Sequence, residues 1–195
     1  MEYRFLGTTG VKVSALSFGT MSFGGDADDE TSARLYARCR EAGINLFDCA
    51  DVYNRGRSEE LLGKFIRQER DEVVLTSKAV FPTGPDVNAR GASRFHLVRA
   101  VERSLTRLGT DCIDIYFLHR FDEATAMEET LRALDDLVSQ GKILYPAMSN
   151  FAAWQAQKAL GICASERLAR PVCVQPMYNM VKRQAEVEIL PMAAS

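Results

Sequence analysis

The chain has 195 residues, of which 47% are hydrophobic and 26% are charged; this composition supplies a buried core and excludes a disordered chain. Its 24 Lys and Arg residues against 26 Asp and Glu leave a net charge of −2, so neither nucleic acid nor a membrane surface is expected as a partner. No stretch reaches the roughly 18 apolar residues of a membrane helix, and residues 1–4 begin no signal peptide, so we expect a cytoplasmic protein. The five cysteines are widely spread beside only two histidines, and no metal site is expected.

The predicted elements alternate between short apolar strands and longer stretches of helical period, which is typical of βα units on a parallel sheet. A small hairpin comes first, with strands at 3–6 and 11–13 around a Gly-Thr-Thr-Gly turn. Parallel strands are predicted at 14–18, 44–47, 72–77, 113–118, 143–148 and 172–177. Helices are predicted at 29–42, 58–67, 94–108, 127–140 and 152–169, and a last helix begins within 183–190.

Six βα units of similar length, with no strand of alternating polar character, favour a parallel α/β barrel. A doubly wound open sheet is the alternative. Its nucleotide-binding form needs a Gly-x-Gly-x-x-Gly turn after the first strand, and residues 19–24 do not match that pattern.

Three of the predicted strands end in an ionisable side chain, and such strand ends gather at the catalytic rim of a parallel barrel. These residues are Asp48, Lys78 and His119, and Tyr53 lies in a loop at the same rim. Each alone has an ordinary structural explanation, namely a turn residue for Asp48, a side chain reaching water for Lys78 and a structural imidazole for His119. Their joint placement favours a catalytic site.

The four side chains together predict a site that donates a proton to a carbonyl as it becomes an alkoxide. We expect the Lys78 ammonium to lower the pKa of Tyr53 and Asp48 to hold Lys78 in place, while His119 donates to the substrate oxygen. None of these groups supplies a hydride, so a nicotinamide cofactor is implied.

The chain closely resembles the aldo-keto reductases along essentially its whole length. The matching stretches are Leu6–Gly7 with Val11–Ser14, Leu16–Met21, Phe47–Tyr53 with Gly56–Glu59, Thr76–Lys78, Ser104–His119, Gly141–Phe151 and Gln175–Asn179.

This resemblance implies a single (β/α)8 TIM-barrel domain over residues 1–195, of which about six βα units are present and the last two are lacking. It implies an NADP-dependent oxidoreductase that reduces small aldehydes and ketones with NADPH or NADH. The implied catalytic residues are Asp48, Tyr53, Lys78 and His119, with Tyr53 as the general acid. The implied cofactor-binding residues are Gly19, Thr20, Met21, Asp48, Ser149, Asn150 and Gln175.

Two further expectations come from this resemblance. Phosphate-binding loops of such barrels commonly follow strands seven and eight, so the chain is expected to be a truncated fragment with impaired cofactor binding. The alternative function is that of a non-catalytic nucleotide-binding or regulatory protein of the same fold, like the potassium-channel β subunits. The physiological substrate and the oligomeric state are left open.

Overall fold

In the computed structural model, which describes residues 1–195, the chain begins with an antiparallel hairpin of β1 (Tyr3–Phe5) and β2 (Lys12–Ser14). Gly7 and Gly10 in its turn have φ values of +52° and +80°, a left-handed backbone that glycine adopts without strain. Leu6 packs under the main sheet against an inner apolar cluster. The predicted hairpin is confirmed, and it covers one end of the sheet.

Six parallel strands follow and form one sheet in strict chain order. Because each new strand is added to the same growing edge, the order never reverses as it does in a doubly wound sheet. The sheet curls as half of a barrel, so the predicted α/β barrel class with six parallel strands is confirmed. The strands are β3 (Ser17–Gly19), β4 (Leu46–Asp48), β5 (Val74–Ala79), β6 (Ile113–Leu118), β7 (Ile143–Ser149) and β8 (Val174–Gln175).

Helices connect these strands and cover the outer face of the sheet. Asp28 caps the first, where its carboxylate accepts from the Thr31 amide at 2.8 Å, and Ser93 caps the third in the same way. None of the helices is both long and apolar enough to cross a membrane. The helices are α1 (Asp29–Glu41), α2 (Arg57–Ile66), α3 (Arg94–Leu108), α4 (Met127–Ser139), α5 (Ala153–Glu166) and α6 (Ile189–Ala194).

The two faces of the sheet carry different side chains, as the two-residue period of a strand dictates. On the outer face Phe47, Leu75 and Tyr116 join the main core of 33 buried residues beneath the helices. On the inner face Ile115 and Phe117 belong to a small separate apolar cluster. The inner face therefore carries a small apolar cluster of its own, and Phe117 of that cluster lies opposite Lys78 in the strand register.

Two inner strands lie further along the chain than predicted, at 46–48 instead of 44–47 and at 74–79 instead of 72–77, and three other elements differ more. The first parallel strand is shorter than 14–18 and lies at 17–19, and the strand predicted at 172–177 shrinks to Val174–Gln175. Both are edge strands with a neighbour on one side only, so ladder hydrogen bonds extend them on that side alone. The helix predicted from 183 is a 3₁₀ turn at Gln184–Glu186, and α6 begins only at Ile189.

Candidate active site

Asp48 and Lys78 meet on the inner face at the carboxyl ends of β4 and β5. Lys78 is fully buried, and its Nζ donates to Asp48 Oδ2 at 2.5 Å and to the Cys49 carbonyl at 2.8 Å. Thr76, two residues earlier on the same face, donates to the other Asp48 oxygen at 2.8 Å. A buried ammonium is tolerable only when it is paired and hydrogen-bonded, and the Asp48 carboxylate and the Cys49 carbonyl meet that requirement for Lys78.

Tyr53 lies above this pair in a 3₁₀ turn formed by Tyr53–Gly56. Its Oη accepts from Lys78 Nζ at 3.4 Å, and Nζ also lies 5.1 Å from the centre of its ring. Asn54 and Arg55, which follow directly, have φ values of +47° and +57°, a conformation uncommon for residues other than glycine. Asn54 Nδ2 donates to the carbonyl oxygen of Met21 at 2.8 Å and so ties this turn to the loop after β3.

His119 follows the end of β6, and its ring centre lies 5.8 Å from that of Tyr53. Burial and, second, the Lys78 charge lower the pKa of His119 to about 4, against a smaller opposing effect of Asp48. The imidazole is therefore neutral at physiological pH. Nδ1 is buried without a hydrogen-bond partner, which leaves Nε2 as the nitrogen that can donate to a substrate oxygen.

The electrostatic effect on Tyr53 is opposite to the one expected from its nearness to Lys78. Burial is the largest influence and raises the pKa of Tyr53, and Asp48 and Cys49 raise it further. The net direction is upward although Lys78 lies beside Tyr53, and the ammonium of Lys78 is paired with Asp48 at 2.5 Å. The expected lowering is therefore wrong for this structure, in which Tyr53 keeps its proton at neutral pH.

The loop after β3 borders the same site. A Cβ atom added to Gly19 would meet no atom of the chain within 4 Å, so the space over this residue is open. The Thr20 side chain is buried, and its hydroxyl donates to the Asp48 carbonyl at 3.0 Å, so it stabilises the fold of the loop. Met21 is 67% exposed. Gly19 thus lies beside open space and Met21 is exposed, whereas the Thr20 hydroxyl is bonded within the chain.

Ser149, Asn150 and Gln175 gather at the ends of β7 and β8. Ser149 Oγ donates to the Gln175 carbonyl at 3.0 Å, and Asn150 Nδ2 donates to Ser149 Oγ and, at 2.9 Å, to the His119 carbonyl. The amide hydrogens of Asn150 and the Ser149 hydroxyl hydrogen are thus used within the chain. Asn150 Oδ1 and the Gln175 side-chain amide have no partner in the chain and remain free to bind a ligand.

The structure brings all the predicted site residues to one rim and adds contacts that the strand-end argument did not include. Thr76 lies two residues before Lys78 on the same strand, so the two-residue period of a strand could have predicted that it faces the site. Phe81 lies with its ring centre 4.7 Å from that of His119, and no pattern in the sequence pointed to it. No group of three His, Cys, Asp or Glu side chains is placed to hold a metal ion.

Comparison with known proteins gives consistent matches. The model of the aldo/keto reductase family matches residues 15–195. A probable voltage-gated potassium channel subunit beta of Arabidopsis thaliana is 39% identical over 98% of this chain and 60% of its own length. The uncharacterized oxidoreductase YrpG of Bacillus subtilis is 38% identical over 99% of this chain and 63% of its own length. The chain therefore spans about three-fifths of the length of these curated relatives.

Proposed function

Because the chain belongs to the aldo/keto reductase family, we propose that it carries the site of an NADPH-dependent reductase that converts small aldehydes and ketones to alcohols. The observation that carries this proposal is the fully buried Lys78, whose Nζ joins the Asp48 carboxylate at 2.5 Å to the Tyr53 hydroxyl at 3.4 Å. A buried cation held beside a protonated phenol costs stability, and such arrangements concentrate at functional sites.

The four residues divide the proton chemistry among them. His119, neutral at physiological pH, donates from Nε2 to the carbonyl oxygen and holds it beside Tyr53. Tyr53 then gives its proton to that oxygen as negative charge develops there. Lys78 stabilises the phenolate left behind until water returns a proton, and Asp48 fixes the position of Lys78.

A nicotinamide cofactor would supply the hydride that the carbonyl carbon receives. The residues present fit such a group, since the space over Gly19 is open and Asn150 Oδ1 and the Gln175 amide have hydrogen-bonding capacity left for a carboxamide. Ser149 would hold these two in position. Gly19 and Met21 would contact the cofactor through their backbone. The hydrogen bond from the Thr20 hydroxyl to the Asp48 carbonyl would hold their loop in place.

We further propose that this chain alone holds the cofactor weakly, because it spans about three-fifths of its relatives and phosphate-binding loops of such barrels commonly follow later strands. We also propose that the site prefers NADPH to NADH, which a comparison of the two cofactors tests. All five cysteines are free thiols, which suits a reducing compartment such as the cytoplasm.

The second candidate is a regulatory protein of the same fold that binds nucleotide without reducing a substrate. It is favoured by the names of the plant relatives from Arabidopsis thaliana and Oryza sativa, both probable potassium channel β subunits. The reductase is placed first because the four residues of its proton chemistry are present and in contact.

The two candidates separate in a paired experiment. NADPH is titrated against the fluorescence of Trp154, the single tryptophan, which lies four residues after Asn150 at the start of α5. The loss of NADPH absorbance is then followed with a reactive aldehyde at saturating cofactor. Saturable quenching with turnover supports the reductase, whereas quenching without turnover over a range of aldehydes and ketones would contradict it and favour the regulatory candidate.

A further inference from the structure

The His119 imidazole makes no hydrogen bond with the rest of the chain, and its buried Nδ1 has no partner. A histidine that must present one nitrogen to a substrate usually has its ring fixed by a hydrogen bond to the other nitrogen. The charged groups that face it, Lys78 and Asp48, are paired with each other. Its orientation therefore depends on packing.

Two aromatic rings supply that packing. The imidazole meets Tyr53 at a centre-to-centre distance of 5.8 Å and an angle of 80°, and it meets Phe81 at 4.7 Å and 79°. Both contacts have the edge-to-face geometry that aromatic pairs prefer. Phe81 makes the closer of the two contacts, and Tyr53, the proposed proton donor, makes the other.

Val80, the residue before Phe81, has an unusual backbone conformation, which fixes where Phe81 lies. Val80 is β-branched and buried, yet its φ is +120°, a value that non-glycine residues rarely adopt. The conformation is held by a hydrogen bond from the Gly91 amide to the Val80 carbonyl at 2.9 Å. It turns the chain sharply after β5, and Phe81 is the first residue beyond that turn.

Arg120 contacts the Phe81 ring and links it to the end of β6. Its guanidinium carbon lies 5.0 Å from the ring centre, within the range of a cation–π contact, and Arg120 forms no salt bridge. Phe81 itself belongs to neither apolar core cluster and is only half-buried. A core-filling role does not account for it.

We propose that Phe81 is a positioning residue for His119, with its ring backed by Arg120 and fixing the imidazole against Tyr53 in place of a hydrogen bond. The inference deepens the proposed reductase function and rests on it for its catalytic consequence. The positioning itself is testable without cofactor.

The first test measures how fast diethylpyrocarbonate acylates the neutral imidazole of His119 at neutral pH. Trypsin separates the two histidines of the chain, with His119 in the peptide 108–120 and His96 in 95–99, so mass spectrometry follows each one. His96 is buried on α3 and reports any general opening of the fold.

In Phe81→Leu, His119 is expected to react roughly fivefold faster than in the wild type, since a ring contact of this kind is lost, while His96 is unchanged. Phe81→Tyr keeps the ring and should restore the wild-type rate. Phe95→Leu is the matched control, because Phe95 makes a cation–π contact with Arg99 on the exposed side of α3. An unchanged His119 rate in Phe81→Leu, or an equal increase for both histidines, would overturn the proposal.

The second test uses carbonyl reduction at saturating NADPH. Phe81→Leu should lower kcat by about 10²-fold and leave the cofactor Kd unchanged, because a misdirected donor affects the reacting oxygen and not the cofactor. If the wild type shows no reduction, the proposed function fails, while the acylation rates still decide the positioning of His119. A change in Kd with kcat unaltered would contradict the role given to Phe81.

Discussion

Replacing Tyr53 by phenylalanine removes the oxygen that we propose as proton donor and changes little else. That oxygen has one hydrogen bond in the structure, from Lys78 Nζ at 3.4 Å, and Lys78 keeps its bonds to Asp48 and to the Cys49 carbonyl. The phenylalanine ring retains the edge contact with His119. The free energy of unfolding should therefore fall by about 1 kcal/mol at most.

The rate of carbonyl reduction should respond far more strongly than the stability. A positioned general acid contributes on the order of 10²–10⁴ in rate, which corresponds to about 2.7–5.4 kcal/mol in the activation barrier. The loss should appear in kcat for an aldehyde at saturating NADPH, with the Kd for NADPH nearly unchanged. Tyr178→Phe is the control, because Tyr178 is exposed and its hydroxyl donates to Glu186 rather than to any of the four proposed catalytic residues. Retention of turnover within about threefold of wild type in Tyr53→Phe would refute the assignment of the acid.

Charge changes around Tyr53 should move the alkaline limit of the pH–rate profile in opposite directions. Asp48→Asn removes an anion that raises the pKa of Tyr53 and should move the limit down, whereas Lys78→Met leaves Asp48 unpaired and should move it up; shifts of the same sign would contradict this. Burial and, second, Glu59 raise the pKa of Asp51 from 3.8 to about 8, so the folded state loses stability as pH rises through that range. Asp51→Asn should therefore raise the free energy of unfolding by about 1–3 kcal/mol, and with it Tm, at alkaline pH but not at acid pH. Equal changes at both pH values would refute the ionisation of Asp51 as the cause. Because β3 and β8 each have an open edge, the 195-residue chain made alone is expected to self-associate, and a monodisperse monomer by light scattering would contradict that.

Elements with local signals were predicted almost to the residue. Asp28 and Gly43 bracket α1, Ser93 and Gly109 bracket α3, and the apolar run at 113–118 is β6 without change. Caps, glycine stops and buried apolar runs act within a few residues, so they can be recognised in the sequence. The edge strands were predicted too long, because their extent depends on ladder partners that lie elsewhere in the chain.

The gathering of the site residues was predictable, whereas the electrostatics among them was not. Strand ends of a parallel sheet converge, so Asp48, Lys78 and His119 had to lie near one another. The direction of the shift in the pKa of Tyr53 depends on burial and on the nearby Asp48 and Cys49, whose effects spacing does not reveal. The catalytic and cofactor-binding roles, and the single-domain assignment of 1–195, stay predictions.

The contact of Phe81 with His119 lay furthest from prediction. It arises from the backbone at Val80, whose φ of +120° is contrary to the preference of a β-branched residue. Local propensity would place Val80 in continued strand, so the sequence signal points away from the turn that forms. Departures from local preference of this kind are most often found beside functional sites.

The most direct test of the central claim is the transfer of deuterium from NADPH labelled at the reactive C4 position to an aldehyde. The cofactor is used at a concentration shown to be saturating by quenching of Trp154, which offsets weak binding by this chain. We expect the wild type to form alcohol with one deuterium on the former carbonyl carbon, and Tyr53→Phe to form it about 10²-fold or more slowly. Deuterated alcohol at the level of the protein-free control, or equal amounts from wild type and Tyr53→Phe, would contradict it.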